Sequence, residues 1–132
     1  MKLTNKKLGQ SLLKDQISIK KIVEVISPKK EDNIVEVGPG LGAITTLLQK
    51  NVGNLTLIEI DHFFVKILKK KFYKQNITIT ECNALKYNLR KSVRYSGDFL
   101  RICGNLPFNI GSNFIYYVMK FINLVQDMHF LL

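Results

Sequence analysis

Ile34-Val-Glu-Val37 runs without a break into Gly38-Pro-Gly-Leu-Gly42, and a helix-length segment opens at Ala43. A short apolar run of this kind is strand-like, and glycines directly after it permit a bend tight enough to return the chain as a helix. This strand–bend–helix unit constrains the fold most, because parallel strands need such crossovers. The rest of the chain repeats the alternation. Ile19, Ile22, Val23 and Ile26 recur at helical spacing, and Ser27-Pro28 closes that helix. Leu55 to Glu59 is a second strand, apolar without alternation, as in strands covered on both faces. His62 to Lys74 is a helix with Val65, Leu68 and Phe72 on one side and Lys66, Lys69, Lys70 and Lys74 largely off it. Ile77–Thr80, Phe99–Cys103 and Asp127–Leu132 read as three further strands, with a helix over Asn113–Asn123 before the last. Asn83-Ala84 opens a loop or short helix toward Asn88, and residues 1–15 read as an irregular basic arm. The pattern predicts an α/β fold, a doubly wound parallel sheet of about five strands with right-handed crossovers.

A chain of 132 residues suits one modest domain. The arm and first helix occupy 1–30 and the core 31–132. Twenty Lys and Arg face ten Asp and Glu, a formal net charge of +10. Such an excess favours a polyanionic partner such as nucleic acid, since each neutralised phosphate releases counterions. Seventeen of the twenty basic residues are Lys. Together with abundant Asn and Ile, that is also what an AU-rich genome encodes without a function attached.

Cys82 and Cys103 belong to no CxxC or Cys/His cluster, so neither a metal site nor a disulfide framework is indicated. The polar start Met-Lys-Leu-Thr-Asn-Lys-Lys does not resemble a secretory signal. The stretch Phe114–Val125 is interrupted by Lys120 and Asn123 and is too short for a bilayer. A monomer in a reducing cytoplasm, without membrane association, is the expectation.

Two segments carry chemistry. In a doubly wound sheet, ligands sit beyond the carboxyl ends of the strands. Gly38, Gly40 and Gly42 fall in that position after the first strand, and Glu59 ends the second strand 21 positions after Gly38. A carboxylate there accepts both hydroxyls of a ribose. Asn83 follows the third strand and suits either contact with an adenine amine or the cap of a short helix. Gly38-Pro-Gly-Leu-Gly-Ala43 nearly satisfies a dinucleotide-binding pattern too, although Pro39 removes one of the amides a pyrophosphate needs. A plain glycine turn is the third reading.

The second segment is Asn105-Leu-Pro-Phe108, at the mouth of the fourth strand. An aryl amine is a poor nucleophile because its lone pair is delocalised into the ring. Two acceptors on its hydrogens favour a pyramidal nitrogen. The Asn105 side-chain oxygen and the backbone carbonyl of Leu106 or Pro107 supply them. Phe108 can stack on the base, a contact worth on the order of 1–3 kcal/mol. A base inside a duplex is out of reach, so the target nucleotide is flipped out or lies in a loop. A strand-to-helix turn capped by Asn109 is the alternative reading of the same residues. With the glycine bend, the segment indicates group transfer onto a base, with S-adenosylmethionine as donor. His62 and His129 read as structural residues, Lys69–Lys71 as a solvated helix face, and Tyr116, Tyr117 and Phe121 as core.

In order, Leu8–Gln16, Val35–Gly42, Leu57–Asp61, Asn83-Ala84, Gly104–Ile110 and Asp127–Leu132 cover nearly the whole chain. By these motifs the sequence resembles the small-subunit ribosomal RNA adenine dimethyltransferases, the KsgA family, within the Rossmann-like class I S-adenosylmethionine-dependent methyltransferases. The resemblance implies dimethylation of the N6 amines of two adjacent adenosines near the 3′ end of small-subunit rRNA, during assembly of the pre-30S particle. It implies cofactor contacts at Ser11, Leu13, Gly38, Gly40, Glu59, Asn83 and Asn105. Asn105, Pro107 and Phe108 would hold the target adenine.

The chain departs from the family pattern at several points. Ser11 and Leu12 stand where the family has Asn and Phe, Asn83 where it usually has Asp, and Phe108 where Tyr is commoner. Family members run to about twice this length and continue into a small helical domain, so the chain reads as C-terminally truncated, weakly stable alone and of doubtful activity. Three other readings stand beside the main one: a non-catalytic rRNA-binding assembly factor or inactive remnant, a methyltransferase of a large-subunit adenosine, and a small NAD-dependent oxidoreductase.

Overall fold

The computed structural model describes residues 5–131, with side chains from residue 16 onward. Its strands are β1 (Asn33–Val37), β2 (Asn54–Glu59), β3 (Ile77–Glu81), β4 (Leu100–Asn105) and β5 (Val125–Leu131). They form one sheet in the order β3-β2-β1-β4-β5, and every neighbouring pair is parallel. The helices are α1 (Asn5–Ile26), α2 (Ala43–Leu48), α3 (His62–Lys71) and α4 (Phe108–Val118). Short 3-10 turns at Ala84–Lys86, Leu89–Ser92 and Met119–Leu124 complete the crossovers.

Strand parity divides the core. Ile34, Leu55, Leu57 and Cys103 face α1, α2 and α3 through Ile22, Ile26, Ile44, Leu48, Leu68 and Phe72. Val35, Val37, Ile58, Leu100 and Ile102 face the opposite layer, built from Tyr87, Leu89, Phe114, Val118 and Phe121. β1 is buried at every position, which is why its sequence does not alternate. The doubly wound parallel sheet expected from the sequence is the observed fold.

Three local expectations differ from the structure. The helix of residues 16–26 begins at Asn5, so residues 5–15 are helical and not an irregular arm. Gln10-Ser-Leu-Leu-Lys-Asp-Gln16 contains no proline and continues the helix without a break. α4 starts at Phe108, five residues before the expected Asn113, with Pro107 preceding its first turn and Asn109 inside it rather than capping it. Tyr116 is 80% exposed and is not core, whereas Phe121 is buried and Tyr117 donates its hydroxyl to the Tyr87 carbonyl at 2.8 Å.

Arg101 is a buried cation within an apolar strand. Its guanidinium reaches Asp32 at 2.8 Å, Asp127 at 2.9 Å and the Ile26 carbonyl at 2.7 Å. One side chain thereby ties the end of α1, the entry to β1, β4 and β5. No described helix is long and apolar enough to cross a membrane.

Candidate active site

The order 3-2-1-4-5 reverses direction between β1 and β4, and crevices open at such switch points beyond the strand carboxyl ends. β1 delivers Gly38 there and β4 delivers Asn105, since Val37 and Gly104 are register partners. A cleft of about 430 Å³ lies at this point. Gly38, Gly40, Glu59, Asn83, Asn105, Leu106 and Pro107 all line it, with Val37, Ile58, Ile60, Phe64, Ile110 and Phe114 as apolar wall. Mostly apolar walls with few polar groups are the usual make-up of a small-molecule site.

The glycine bend takes its shape from left-handed backbone. Gly38 has φ +66°, Gly40 +57° and Gly42 +88°. A Cβ at Gly38 would meet a Leu106 methyl carbon at 2.8 Å, so the two functional segments touch through the missing side chain. The bend's amides are largely engaged. Gly38 N–H donates to the Ile58 carbonyl at 2.9 Å, Gly42 N–H to the Pro39 carbonyl at 2.8 Å, and Gly40 N–H to Glu59 at 3.0 Å. Pro39 has none to give. A pyrophosphate needs several free amides, so this bend disfavours a dinucleotide and suits a ligand met by shape and a carboxylate.

Glu59 is buried, and each of its oxygens already accepts one backbone amide, Gly40 at 3.0 Å and Asp61 at 2.9 Å. A carboxylate oxygen has two lone-pair sites, so each retains one for a ribose hydroxyl. Beneath the bend, Glu36 is fully buried on β1 and accepts the Thr45 hydroxyl at 2.5 Å. Burial pushes its carboxyl up to about 7; the Thr45 hydrogen bond opposes this and the nearby Glu59 charge adds to it.

Asn83 caps the 3-10 turn, its Oδ1 accepting the Leu85 amide at 3.0 Å. The capping reading therefore holds, with Asn83 still in the cleft wall. Of the two carbonyls proposed to face a target amine, Pro107's accepts the Gly111 amide at 2.8 Å inside α4. No donor reaches the Leu106 carbonyl among the described residues, so Leu106 is the better candidate of the pair. Leu106 N–H is anchored to the Leu131 carbonyl at 3.1 Å, which fixes the segment against β5. Phe108 is 71% exposed as the first residue of α4 and is not part of the cleft wall. The side chains of Ser11 and Leu13 lie outside the described residues. His62 pairs with Glu81 at 2.7 Å on the surface, away from this chemistry.

Sequence reasoning did not single out Glu36, Phe64, Cys82 or Ile110. For Glu36 a signal existed: a carboxylate flanked by valines on a strand buried on both faces has no route to water. The others come from segments the sequence left as helix surface or loop.

A family model described as Ribosomal RNA adenine dimethylase matches residues 1–132. The chain belongs to the ribosomal RNA adenine dimethylase family. Among curated relatives, Ribosomal RNA small subunit methyltransferase A of Hahella chejuensis is 41% identical over 128 residues, covering 96% of this chain and 46% of that protein. Members of this family depend on S-adenosylmethionine. The chain spans about half the length of the curated relatives it matches. Among solved structures, a dimethyladenosine transferase from Plasmodium falciparum superposes with TM-score 0.67 at 24% identity, over 85% of this chain and 40% of that one. The magnesium protoporphyrin IX methyltransferase of Synechocystis with bound S-adenosylmethionine gives 0.69 at 13% identity, over 96% and 62%. Both share the class I methyltransferase fold.

Proposed function

We propose that the cleft binds S-adenosylmethionine and receives an extruded adenosine of small-subunit rRNA, and that methyl groups pass to its N6 amine. The proposed substrate is a pair of adjacent adenosines near the 3′ end of the 16S molecule, presented on a pre-30S particle in the cytoplasm, with the enzyme acting as a monomer. The observation that carries this reading is that Gly38, Gly40 and Glu59 line the same cleft as Asn105, Leu106 and Pro107.

When bound, the cofactor supplies a methyl already activated on a sulfonium. The chain's work is then positioning. Glu59 accepts the ribose hydroxyls, and the open bend at Gly38 and Gly40 admits the ligand closely. Asn105 Oδ1 and the Leu106 carbonyl accept the two amine hydrogens and hold the nitrogen lone pair toward the donor. Phe108, at the rim, stacks on the base as it enters. No strong base is required, and most of the rate comes from geometry and water exclusion. The +10 net charge draws in the rRNA. The chain spans about half the length of these relatives, and we propose that this half turns over by itself.

The test is transfer of labelled methyl to immature small subunits lacking the modification, with the product nucleoside identified by mass spectrometry. Dimethyladenosine formation that fails with Asn105→Ala supports the proposal. Tight rRNA binding with no transfer by either form would make the chain a non-catalytic rRNA-binding protein instead.

A further inference from the structure

Between Asp61 and Glu81 the chain carries Lys66, Lys69, Lys70, Lys71 and Lys74 and no carboxylate. α3 arranges them. It leaves the cleft end of β2, runs back beside the sheet, and hands the chain to β3 at the opposite end, since β2 and β3 are parallel. Val65 and Leu68 form its buried side, with Phe72 just beyond it, and Lys66, Lys69 and Lys70 are exposed. Lys71 is spent on the Leu41 carbonyl at 3.1 Å. Among the described residues no carboxylate pairs with the other four. An aromatic ring stands at each end of this stretch, Phe63 65% exposed and Tyr73 83% exposed. Phe63 also lies against Phe64, ring centres 5.9 Å apart, and Phe64 is cleft wall. Past Tyr73, Lys74 joins Lys29, Lys30 and Lys50 around a surface groove of about 580 Å³, alongside one acid, Glu31.

Resting on the proposed rRNA substrate, we infer that the outer face of α3 and this groove form a track for a single-stranded stretch of RNA running away from the cleft, with Lys66, Lys69, Lys70 and Lys74 on its phosphates and Phe63 and Tyr73 under its bases. A Lys-rich composition accounts for lysine in place of arginine. It does not account for the exclusion of acids from this stretch, nor for two exposed rings set among the cations, which is the make-up of surfaces that hold single strands. A strand fits better than a duplex because only unpaired bases can offer a face to Phe63 and Tyr73. Phe63 and Lys66 are three positions apart and Lys66 and Lys70 four, so the ring and the two cations lie along one side of the helix.

The experiment measures, across a salt series, how the 132-residue chain binds a single-stranded RNA containing two adjacent adenosines and the same RNA annealed to its complement. Lys66→Gln, Lys70→Gln and Lys74→Gln combined are expected to weaken single-strand binding at least about tenfold. They should also make the slope of log affinity against log salt shallower by about two, since each phosphate contact contributes about 0.7. A control with the same charge change on the opposite layer, Arg90→Gln with Lys91→Gln and Lys120→Gln, should leave the slope within about 0.5 of the parent's. Tyr73→Ala should cost about fivefold or more with the single strand and less than about twofold with the duplex. Calorimetry with S-adenosylhomocysteine should give the parent's affinity for every variant, which separates loss of the track from loss of the fold. Equal losses from the two charge sets, tighter binding of the duplex, or no effect of Tyr73→Ala overturns the inference and leaves the rRNA reading standing. Failure of the parent chain to bind either RNA overturns both.

Discussion

Glu59 Oε1 lies 3.0 Å from the Gly40 amide nitrogen, so the end of β2 holds the apex of the bend that leaves β1. Replacing Glu59 by Gln keeps one acceptor oxygen but turns an NH2 group toward either the Gly40 or the Asp61 amide. A buried donor without an acceptor costs about 1–3 kcal/mol. Glu59→Gln is therefore expected to weaken S-adenosylhomocysteine binding at least tenfold and to lower the midpoint of thermal unfolding. Calorimetry and a thermal melt on the same sample read both effects.

Glu36 makes stability depend on pH in the unusual direction for a carboxylate. Its folded value is about 7 against an ordinary 4.5, chiefly through burial. The folded state then holds the proton more tightly than the unfolded chain. Stability from this group is present in full below pH 4.5, falls as pH rises toward 7, and is lost above that, by on the order of 2–3 kcal/mol. Glu36→Gln removes the titration. Its stability relative to the parent should rise by about 2 kcal/mol between pH 5 and pH 8, read by urea unfolding at each pH. A constant difference across that range would contradict the assignment.

Asp98 acts in the opposite sense. The Arg94 hydrogen bond, outweighing its burial, holds its carboxyl at about 2 against an ordinary 3.8. Its contribution is present above pH 4 and is lost as pH falls toward 2. Asp98→Asn should therefore cost stability at pH 7 and cost less at pH 2.5, since the parent has lost most of the same interaction there. Unfolding curves at the two pH values check the sign.

Much of the architecture was legible because burial on both faces writes itself as unbroken apolar runs. Ile34–Val37 and Leu55–Glu59 are such runs, and the glycines after the first mark the bend. α4 was legible only in its second half. Asn109, Gly111, Ser112 and Asn113 are poor helix formers, and the helix runs through them because its face at Gly111, Phe114 and Val118 is buried, packing that overrides propensity. Arg101 was read only as part of an apolar strand, since its partners stand 69 and 26 positions away. The choice between the Leu106 and Pro107 carbonyls needed the hydrogen bond from Gly111, which no spacing rule supplies.

Arg101 gives a stability prediction. Arg101→Met leaves Asp32 and Asp127 without their shared cation in a largely buried place, which costs about 3–5 kcal/mol. Adding Asp127→Asn to that variant should recover part of the loss. Urea unfolding of the single and double variants decides it.

Gly104 lies beside Val37 with no room for a side chain. A Cβ there would stand 2.4 Å from the Val37 carbonyl oxygen, a backbone atom that cannot swing away. Gly104→Ala should destabilise by about 1–3 kcal/mol and, by moving the start of the Asn105 segment, weaken S-adenosylhomocysteine binding as well.

The central claim is that one cleft serves methyl donor and target amine together. A bisubstrate compound tests it, joining S-adenosylhomocysteine through a short linker at sulfur to the N6 nitrogen of a second adenosine. The account predicts that this compound binds at least tenfold more tightly than S-adenosylhomocysteine and that Asn105→Ala abolishes the gain. Binding no tighter than S-adenosylhomocysteine, or a gain that survives Asn105→Ala, would contradict it.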